Sequence, residues 1–459
     1  MTELIASLRT GNWKALLACF MYFDTGFTVW VMYGPLAPYV SKQLALSPAE
    51  AGFLVAVPVL SAAILRVTLG NWFQATSGRH LALLGIAMSS IPSLILMLPI
   101  VPTYTLLLML GVLLGMGGAS FAIALPMAGS SYPPKVQGLV LGLAAAGNIG
   151  AVVDGFLFPT LAQRFGWQWA TAAALPLLAL TAVAVLLWAE DRSSKNGGGG
   201  RALIGFIVSL LAVIALVALV HAGTFGHGRT GLLLLPVLGA AVALTVLPSQ
   251  YRRVLAQRDV WAIMLVYSIT FGGFVGMSSY VSLLLTTQFA LTKVDAGMIM
   301  AALSLMGAMV RPVGGHLADR WSGVKVLLGL LLTIAAANMA FAVWMPALSG
   351  SLVLLTALYL GFGLGNGATF QLVPHRWKGK TGLMTGIIGA AGGIGGFYLP
   401  VVMGIAREST GSYQLGFATF GVLSASAFVW VVILHRQWLA WSLPASTGLA
   451  LDLAIAPTE

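Results

Sequence analysis

The chain has 459 residues, of which 59% are apolar and 8% charged, and its mean hydropathy is +0.95. A soluble domain carries about 25% charged residues, so this composition excludes one. The formal net charge of +11 then reads as membrane topology rather than nucleic-acid binding, and the single cysteine, Cys19, excludes an intramolecular disulfide or a thiolate metal cluster.

Apolar stretches of about 20 residues, each long enough to cross a hydrocarbon core of about 30 Å as a helix, follow one another along the chain. Fourteen are read, over 14–40, 48–75, 80–100, 103–131, 137–160, 168–189, 202–222, 230–248, 260–289, 294–319, 324–345, 351–374, 381–405 and 413–435. The first runs past the length of a signal h-region without a small-residue cleavage site, so it is expected to be a helix that stays. Sixteen of the 23 Lys and Arg fall on the side shared by the two termini and five on the other, which predicts cytoplasmic termini and an even number of crossings. The fold class expected is an all-α polytopic membrane protein.

In the second stretch Arg66 stands inside FLVAVPVLSAAILRVTLG, and in the tenth Arg311 stands inside MIMAALSLMGAMVRPVGG, 245 residues later. The same offset relates Gly70 to Gly315, Gly78 to Gly323, Gly147 to Gly392, Gly150 to Gly395 and Gly166 to Gly411. The chain therefore reads as a duplicated unit: a six-helix bundle in 1–189, a second in 260–436, and between them a linker (190–259) with two additional spans. Those two spans contain no acid, and they are expected to bridge the halves or to meet lipid. The tail, 437–459, is too short to cross and reads either as an interfacial segment or as a disordered end.

A buried cation is costly in lipid. Away from the span ends only Asp24 and Asp154 are available as salt-bridge partners, and both lie in the first half, so Arg311 has no intramembrane acid in its own half. Guanidinium is planar, permanently charged and forked, and it suits a planar oxyanion. One anion between the two arginines would offset their repulsion. Two glycine-rich stretches, Gly138–Gly155 and Gly382–Gly396, sit at matching places and predict close helix crossings with room for a small ligand. Asn148, where the second copy has Gly393, adds a polar side chain.

Further residues carry chemistry or movement. Asp24 and Asp154 read either as proton carriers or as hydrogen-bonded structural acids. Phe27, Trp30, Phe121, Tyr267, Phe271 and Phe370 fall within spans, and Tyr267 brings a hydroxyl able to reach an anion. The segment GGHLADRWSGVK, with Gly315, Asp319 and Arg320, reads as a cytoplasmic loop that clamps helix ends in one conformation; its first copy replaces the acid–base pair by Gln74 and Ala75. No histidine is placed to bind a metal: His80, His316, His375 and His435 fall in cytoplasmic loops or helix ends, His221 and His227 outside. No His or Cys accompanies the arginines, which argues against a membrane enzyme.

The duplicated six-helix halves with GGHLADR resemble the major facilitator superfamily. AAAGNIG, GLGNGATFQLVP, GIIGAAGGIGG and one arginine in the second helix of each half resemble its nitrate/nitrite porter family, nearest to bacterial assimilatory-type nitrate transporters. The resemblance implies nitrate held between Arg66 and Arg311, an aromatic sandwich and hydroxyl at Phe27, Phe121, Tyr267 and Phe271, a signature asparagine at Asn148, and backbone flanking the ion at Gly147, Gly392 and Gly393. It implies a secondary transporter of nitrate and nitrite, with alternating access in the bacterial cytoplasmic membrane. Proton-coupled uptake for assimilation is expected, nitrate/nitrite exchange is the alternative, and a drug/proton antiporter is the competitor that two basic residues disfavour. No cofactor, metal or nucleic acid is expected, and a monomer suffices. The two central spans depart from the twelve helices of most members.

Overall fold

The computed structural model describes residues 11–442 except 134, 135, 137–139, 142, 145, 196, 224–229 and 378–380, and every regular element among them is helical. With lipid on the outside, backbone groups must be satisfied within the segment, which leaves helices as the spanning solution for apolar runs of this length. The first half comprises α1 (Trp13–Val31) and α2 (Tyr33–Leu44), which form one crossing, then α3 (Pro48–Phe73) and α4 (Gly78–Leu96). It continues with α5 (Tyr104–Ala119) and α6 (Phe121–Ser130) as one crossing, a 3-10 turn Ala146–Ile149 leading into α7 (Gly150–Phe165), and α8 (Trp167–Thr171) with α9 (Ala174–Trp188). The insertion holds α10 (Gly199–His221), α11 (Thr230–Val246) and α12 (Ser249–Leu255). The second half has α13 (Arg258–Gln288), α14 (Lys293–Met309) with α15 (Arg311–Trp321), α16 (Gly323–Val343), α17 (Leu348–Arg376), α18 (Thr381–Thr410) and α19 (Gln414–Ser442).

The repeat is written into the backbone. Helices open at Trp13, Pro48 and Gly78 and again, 245 residues on, at Arg258, Lys293 and Gly323. Ser47 caps α3 and Thr292 caps α14 at the same offset, each accepting a backbone N–H through its hydroxyl. The left-handed residues before those caps, Ala45 (φ 49°) and Ala290 (φ 52°), are also 245 apart, as are Gly166 (φ 86°) and Gly411 (φ 71°).

Twelve helices among the described residues are long and apolar enough to cross a membrane. The two other expected crossings appear as shorter pieces. The fifth stretch is represented by α7, its approach including residues outside the described set, and the eighth by α11. At 1.5 Å per residue α11 spans about 26 Å, short of a core of about 30 Å. It lies between the halves: Gly239 abuts Ile64 of α3, and the carbonyl of Leu233 accepts a hydrogen bond from Tyr398 of α18 at 2.8 Å. The last helix runs past the expected boundary at 436 to Ser442, because Trp438 is buried with its indole N–H directed at Asp259 Oδ1, 3.3 Å away. Residues 443–459 of the tail lie outside the described residues.

The halves meet closely toward the end where α2 finishes and α3 begins. Gly52 lies on the carbonyl of Pro400 and Gly404 on that of Pro48, and neither leaves room for a Cβ. Gly34 packs on the Ser278–Ser279 backbone of α13, and Gly155 on Gly297 and Ala301 of α14. There too Ala49 donates its backbone N–H to the Glu408 carboxylate at 3.1 Å, and the Lys293 ammonium sits 4.1 Å above the Tyr39 ring.

Candidate functional site

Arg66 sits two-thirds of the way along α3 with no exposed surface. Its Nη1 donates to the carbonyl of Gly389 on α18 at 2.8 Å and its Nη2 to that of Gly118 on α5 at 2.7 Å, while Nε has no partner. The guanidinium carbon lies 4.9 Å from the centroid of Phe121, 5.5 Å from Trp30 and 5.6 Å from Phe271. Among the described residues no carboxylate pairs with it. Ring faces and two backbone carbonyls thus hold a full positive charge, a partial compensation that leaves it ready for an anion.

Arg311 stands at the joint between α14 and α15, with its guanidinium carbon 6.0 Å from the centroid of Phe370. Its carbonyl is pressed against Gly367 of α17, where a side chain would not fit, so this crossing sets the height of the arginine. Tyr267 lies between the two cations. It stacks on Phe271 at 5.1 Å and meets Phe370 edge-on at 5.1 Å. Its buried hydroxyl interacts with Arg311 first and then with Arg66, without completing a well-directed hydrogen bond. The two guanidinium groups are close enough to repel one another.

Of the residues expected at the site, the fold brings together Arg66, Arg311, Tyr267, Phe121 and Phe271. Gly392 belongs with them, since a Cβ there would come within 2.8 Å of both the Tyr267 and Phe271 rings. Phe27 is one layer behind, edge-on to Trp30 at 5.2 Å. Gly147 and Gly393 serve helix crossings: the first meets the Phe23–Asp24 segment, the second Ala63. Asn148 is 2% exposed, in the 3-10 turn, with Oδ1 unpartnered. Four parts of the wall lay outside the expected site. Trp30 and Phe370 were visible as aromatics within spans, but the carbonyls of Gly118 and Gly389 carry no residue-type signal.

The acids fall elsewhere. Asp154 is completely buried on α7 with neither carboxylate oxygen hydrogen-bonded, and Asp24, half-buried on α1, leaves Oδ1 unpartnered. The two are electrostatically coupled. Gly315, Asp319 and Arg320 are part of helix α15 rather than a loop, and Asp319 and Arg320 are exposed; the chain turns only at Ser322, in a left-handed conformation. In the first copy the missing acid arrives from the linker. Asp191 accepts the backbone N–H of Gly78 at 2.7 Å and pairs with Lys195 at 2.6 Å, while Lys195 also donates to the Phe73 carbonyl at 2.9 Å. Burial pushes the Asp191 carboxyl up, but hydrogen bonds from Lys195, Ser193 and Gly78 outweigh it and hold the group below its ordinary range. No group of three metal-ligating side chains occurs among the described residues, and His227 lies outside them.

Two cations, a hydroxyl and flat aromatic walls are groups suited to a small planar anion, and they supply no nucleophile and no acid–base dyad for covalent chemistry. Residues 16–400 match the family model of the Major Facilitator Superfamily. The "Nitrite extrusion protein" of Bacillus subtilis is 28% identical over 91% of this chain and 91% of its own length. The "Probable nitrate/nitrite transporter NarK2" of Mycobacterium tuberculosis is 31% identical over 83% of this chain and 86% of its own, and the "Probable nitrate/nitrite antiporter NarK1" of Thermus thermophilus 26% over 91% and 90%.

Proposed function

Because the chain belongs to the major facilitator superfamily, in its nitrate/nitrite porter branch, we propose that it carries nitrate, and nitrite with it, across the bacterial cytoplasmic membrane by alternating access. The observation that carries this reading is the pair Arg66 and Arg311, one from each half, facing a shared aromatic chamber around Tyr267. Nitrate is planar and monovalent. It would sit among the donors that have no strong partner, Arg66 Nε and the Tyr267 hydroxyl, with the Arg311 fork opposite and the ring faces above and below. Asn148, Phe27, Gly147 and Gly393 shape the chamber from behind the first layer.

The contacts of Gly34, Gly52, Gly155 and Gly404 between the halves lie toward one end of the bundle, and this conformation is closed there. With both termini cytoplasmic, as the basic residues favour, that end is the outer one. The two six-helix units, 1–189 and 260–436, rock about the arginine level, while α10 and α11 complete fourteen crossings and ride against α3 and α18. Gly315, Asp319 and Arg320, and the Asp191 anchor in the first copy, act at the inner end as conformational contacts. One chain suffices for this cycle.

Importing a monovalent anion into a negative interior costs about 2.3 kcal/mol per 100 mV. Uptake for assimilation therefore needs at least two protons per nitrate or exchange for internal nitrite. Proton symport is favoured by two carboxyls, Asp24 and Asp154, without ion-pair partners among the described residues. Proteoliposomes with an imposed pH gradient separate the two: symport makes the medium alkaline when nitrate is added, whereas strict dependence on internal nitrite with no alkalinisation identifies exchange.

A further inference from the structure

We propose that Asp154 is the group that carries a co-transported proton and that it discharges this proton through Asp24; the proposal rests on the proton-symport reading above. Asp154 lies on the wall of α7 that closes the outer end. Its neighbour Gly155 is in backbone contact with Gly297 and Ala301 of α14, and a Cβ at Gly297 would come within 2.5 Å of Pro159. Side-chain burial is complete there, and both carboxyl oxygens lack hydrogen-bond partners. A carboxylate in that position would be an uncompensated charge inside a membrane protein, so the neutral acid is the form that this closed conformation accommodates.

The elements packed against α7 offer it no cation. On α1 the coupled group is Asp24, while Tyr22 turns to Gly85 of α4, and Cys19 and Lys14 lie more than a turn nearer the chain start. On α2 the Tyr33 and Tyr39 hydroxyls donate to the carbonyls of Leu107 and Pro159, and Lys42 is exposed at the helix end. On α14 the Lys293 ammonium rests on Tyr39, and Asp295 accepts from the Thr292 hydroxyl at 2.6 Å. Neither α8 nor the Ala146–Ile149 turn has a titratable side chain.

Asp24 lies on the other side of the same contact. Gly150, one turn before Asp154, packs on the Asp24 carbonyl and on Thr28, so the two acids face a common seam between α1 and α7. Asp24 is only half-buried and nearer the end that carries the termini. Asp154 carries one of the protons that accompany each nitrate. With the outer end open, the Asp154 carboxylate takes a proton from external water; the neutral acid then allows α7 and α14 to close. The O–H proton passes to the Asp24 carboxylate and from there to internal water. Asp154 is left charged, which destabilises the outer closure and resets the carrier.

The test uses the full chain in proteoliposomes, comparing nitrate/nitrate counterflow at equal pH with nitrate accumulation under an inward proton gradient. Asp154→Asn is expected to keep counterflow near the wild-type rate and to lose gradient-driven accumulation, a drop of about tenfold per proton for each pH unit imposed. Asp154→Glu should recover part of it. Asp24→Asn, which serves if Asp154→Asn does not fold, should slow net uptake while sparing counterflow. Accumulation by Asp154→Asn equal to wild type, loss of its counterflow in a variant of unchanged thermal stability, or undiminished net uptake by Asp24→Asn overturns the proposal. A wild-type protein that shows no nitrate counterflow overturns the nitrate reading instead, and one that exchanges nitrate without alkalinising the medium overturns the proton assignment alone.

Discussion

Arg66 and Gly389 are joined across the two halves of the molecule: Nη1 of the arginine donates to the glycine carbonyl at 2.8 Å, at the level of the aromatic chamber. The bond ties a buried cation of α3 to the backbone of α18, the helix whose glycine-rich run faces it. A neutral carbonyl is a weaker partner for guanidinium than an anion. An arriving oxyanion thus competes for the same donor, and the contact between the halves changes with occupancy of the site.

The first prediction concerns that contact. A methyl group added by Gly389→Ala would lie 3.2 Å from Arg66 Cδ and Nη1 and 3.6 Å from Phe121. The guanidinium must shift, so nitrate affinity should fall by about tenfold, the equivalent of about 1.4 kcal/mol, while the protein stays folded. Thermal protection of the purified protein by nitrate checks it, and an unchanged protection curve would show that Arg66 tolerates the displacement.

Tyr267→Phe removes the buried hydroxyl and keeps the stack on Phe271. A hydrogen bond to a charged group contributes about 1.5–3 kcal/mol, so nitrate should bind about ten- to a hundredfold more weakly. Without ligand the variant should be close to the parent in stability, since the hydroxyl completes no well-directed hydrogen bond and interacts with Arg311 only loosely. Paired measurements of affinity and unfolding temperature test both halves of this expectation.

The close packing at the Gly404 end, the outer one in the proposed topology, leads to a prediction about access. Gly404 rests on the Pro48 carbonyl, and Gly404→Val should wedge that contact open and abolish counterflow. Ser279, 1% exposed beside Gly34, reports the opening: Ser279→Cys should react slowly with an external impermeant maleimide in the parent and rapidly in the wedged variant. The native Cys19 is buried, which keeps the background low.

The linker anchor predicts a pH effect. Asp191 is held below its ordinary range in the folded protein, so it stabilises at every pH above the unfolded value of about 4, and the contribution is lost as pH falls through the lower folded value. Asp191→Asn should cost about 1 kcal/mol at pH 7 and flatten the acid arm of the stability profile. Unfolding temperatures between pH 3 and pH 7 check it; parallel profiles for the two proteins would contradict it.

Much of this was legible from residue types. Arg66 and Arg311 stood out because a cation in an apolar run is costly, and the 245-residue offset reappears in helix starts and in the left-handed pair Gly166 and Gly411. What escaped was carried by backbone or by distance along the chain. Ala45 and Ala290 adopt a left-handed turn that alanine does not advertise. The first motif copy has Gln74 and Ala75 in place of the acid–base pair, and the acid beside it, Asp191, comes from more than a hundred residues later, in space next to Gly78. The α11 stretch, expected over 230–248, is helical over Thr230–Val246, shorter than each of the twelve candidate membrane spans among the described residues.

The claim that Arg66 and Arg311 clamp one nitrate together is tested most directly by counterflow of labelled nitrate with Arg66→Lys, Arg311→Lys and the double variant. Lysine keeps each charge and loses the fork, so each single change should abolish most transport and the double should be little worse than either. Near-normal counterflow by either single lysine variant would contradict the clamp.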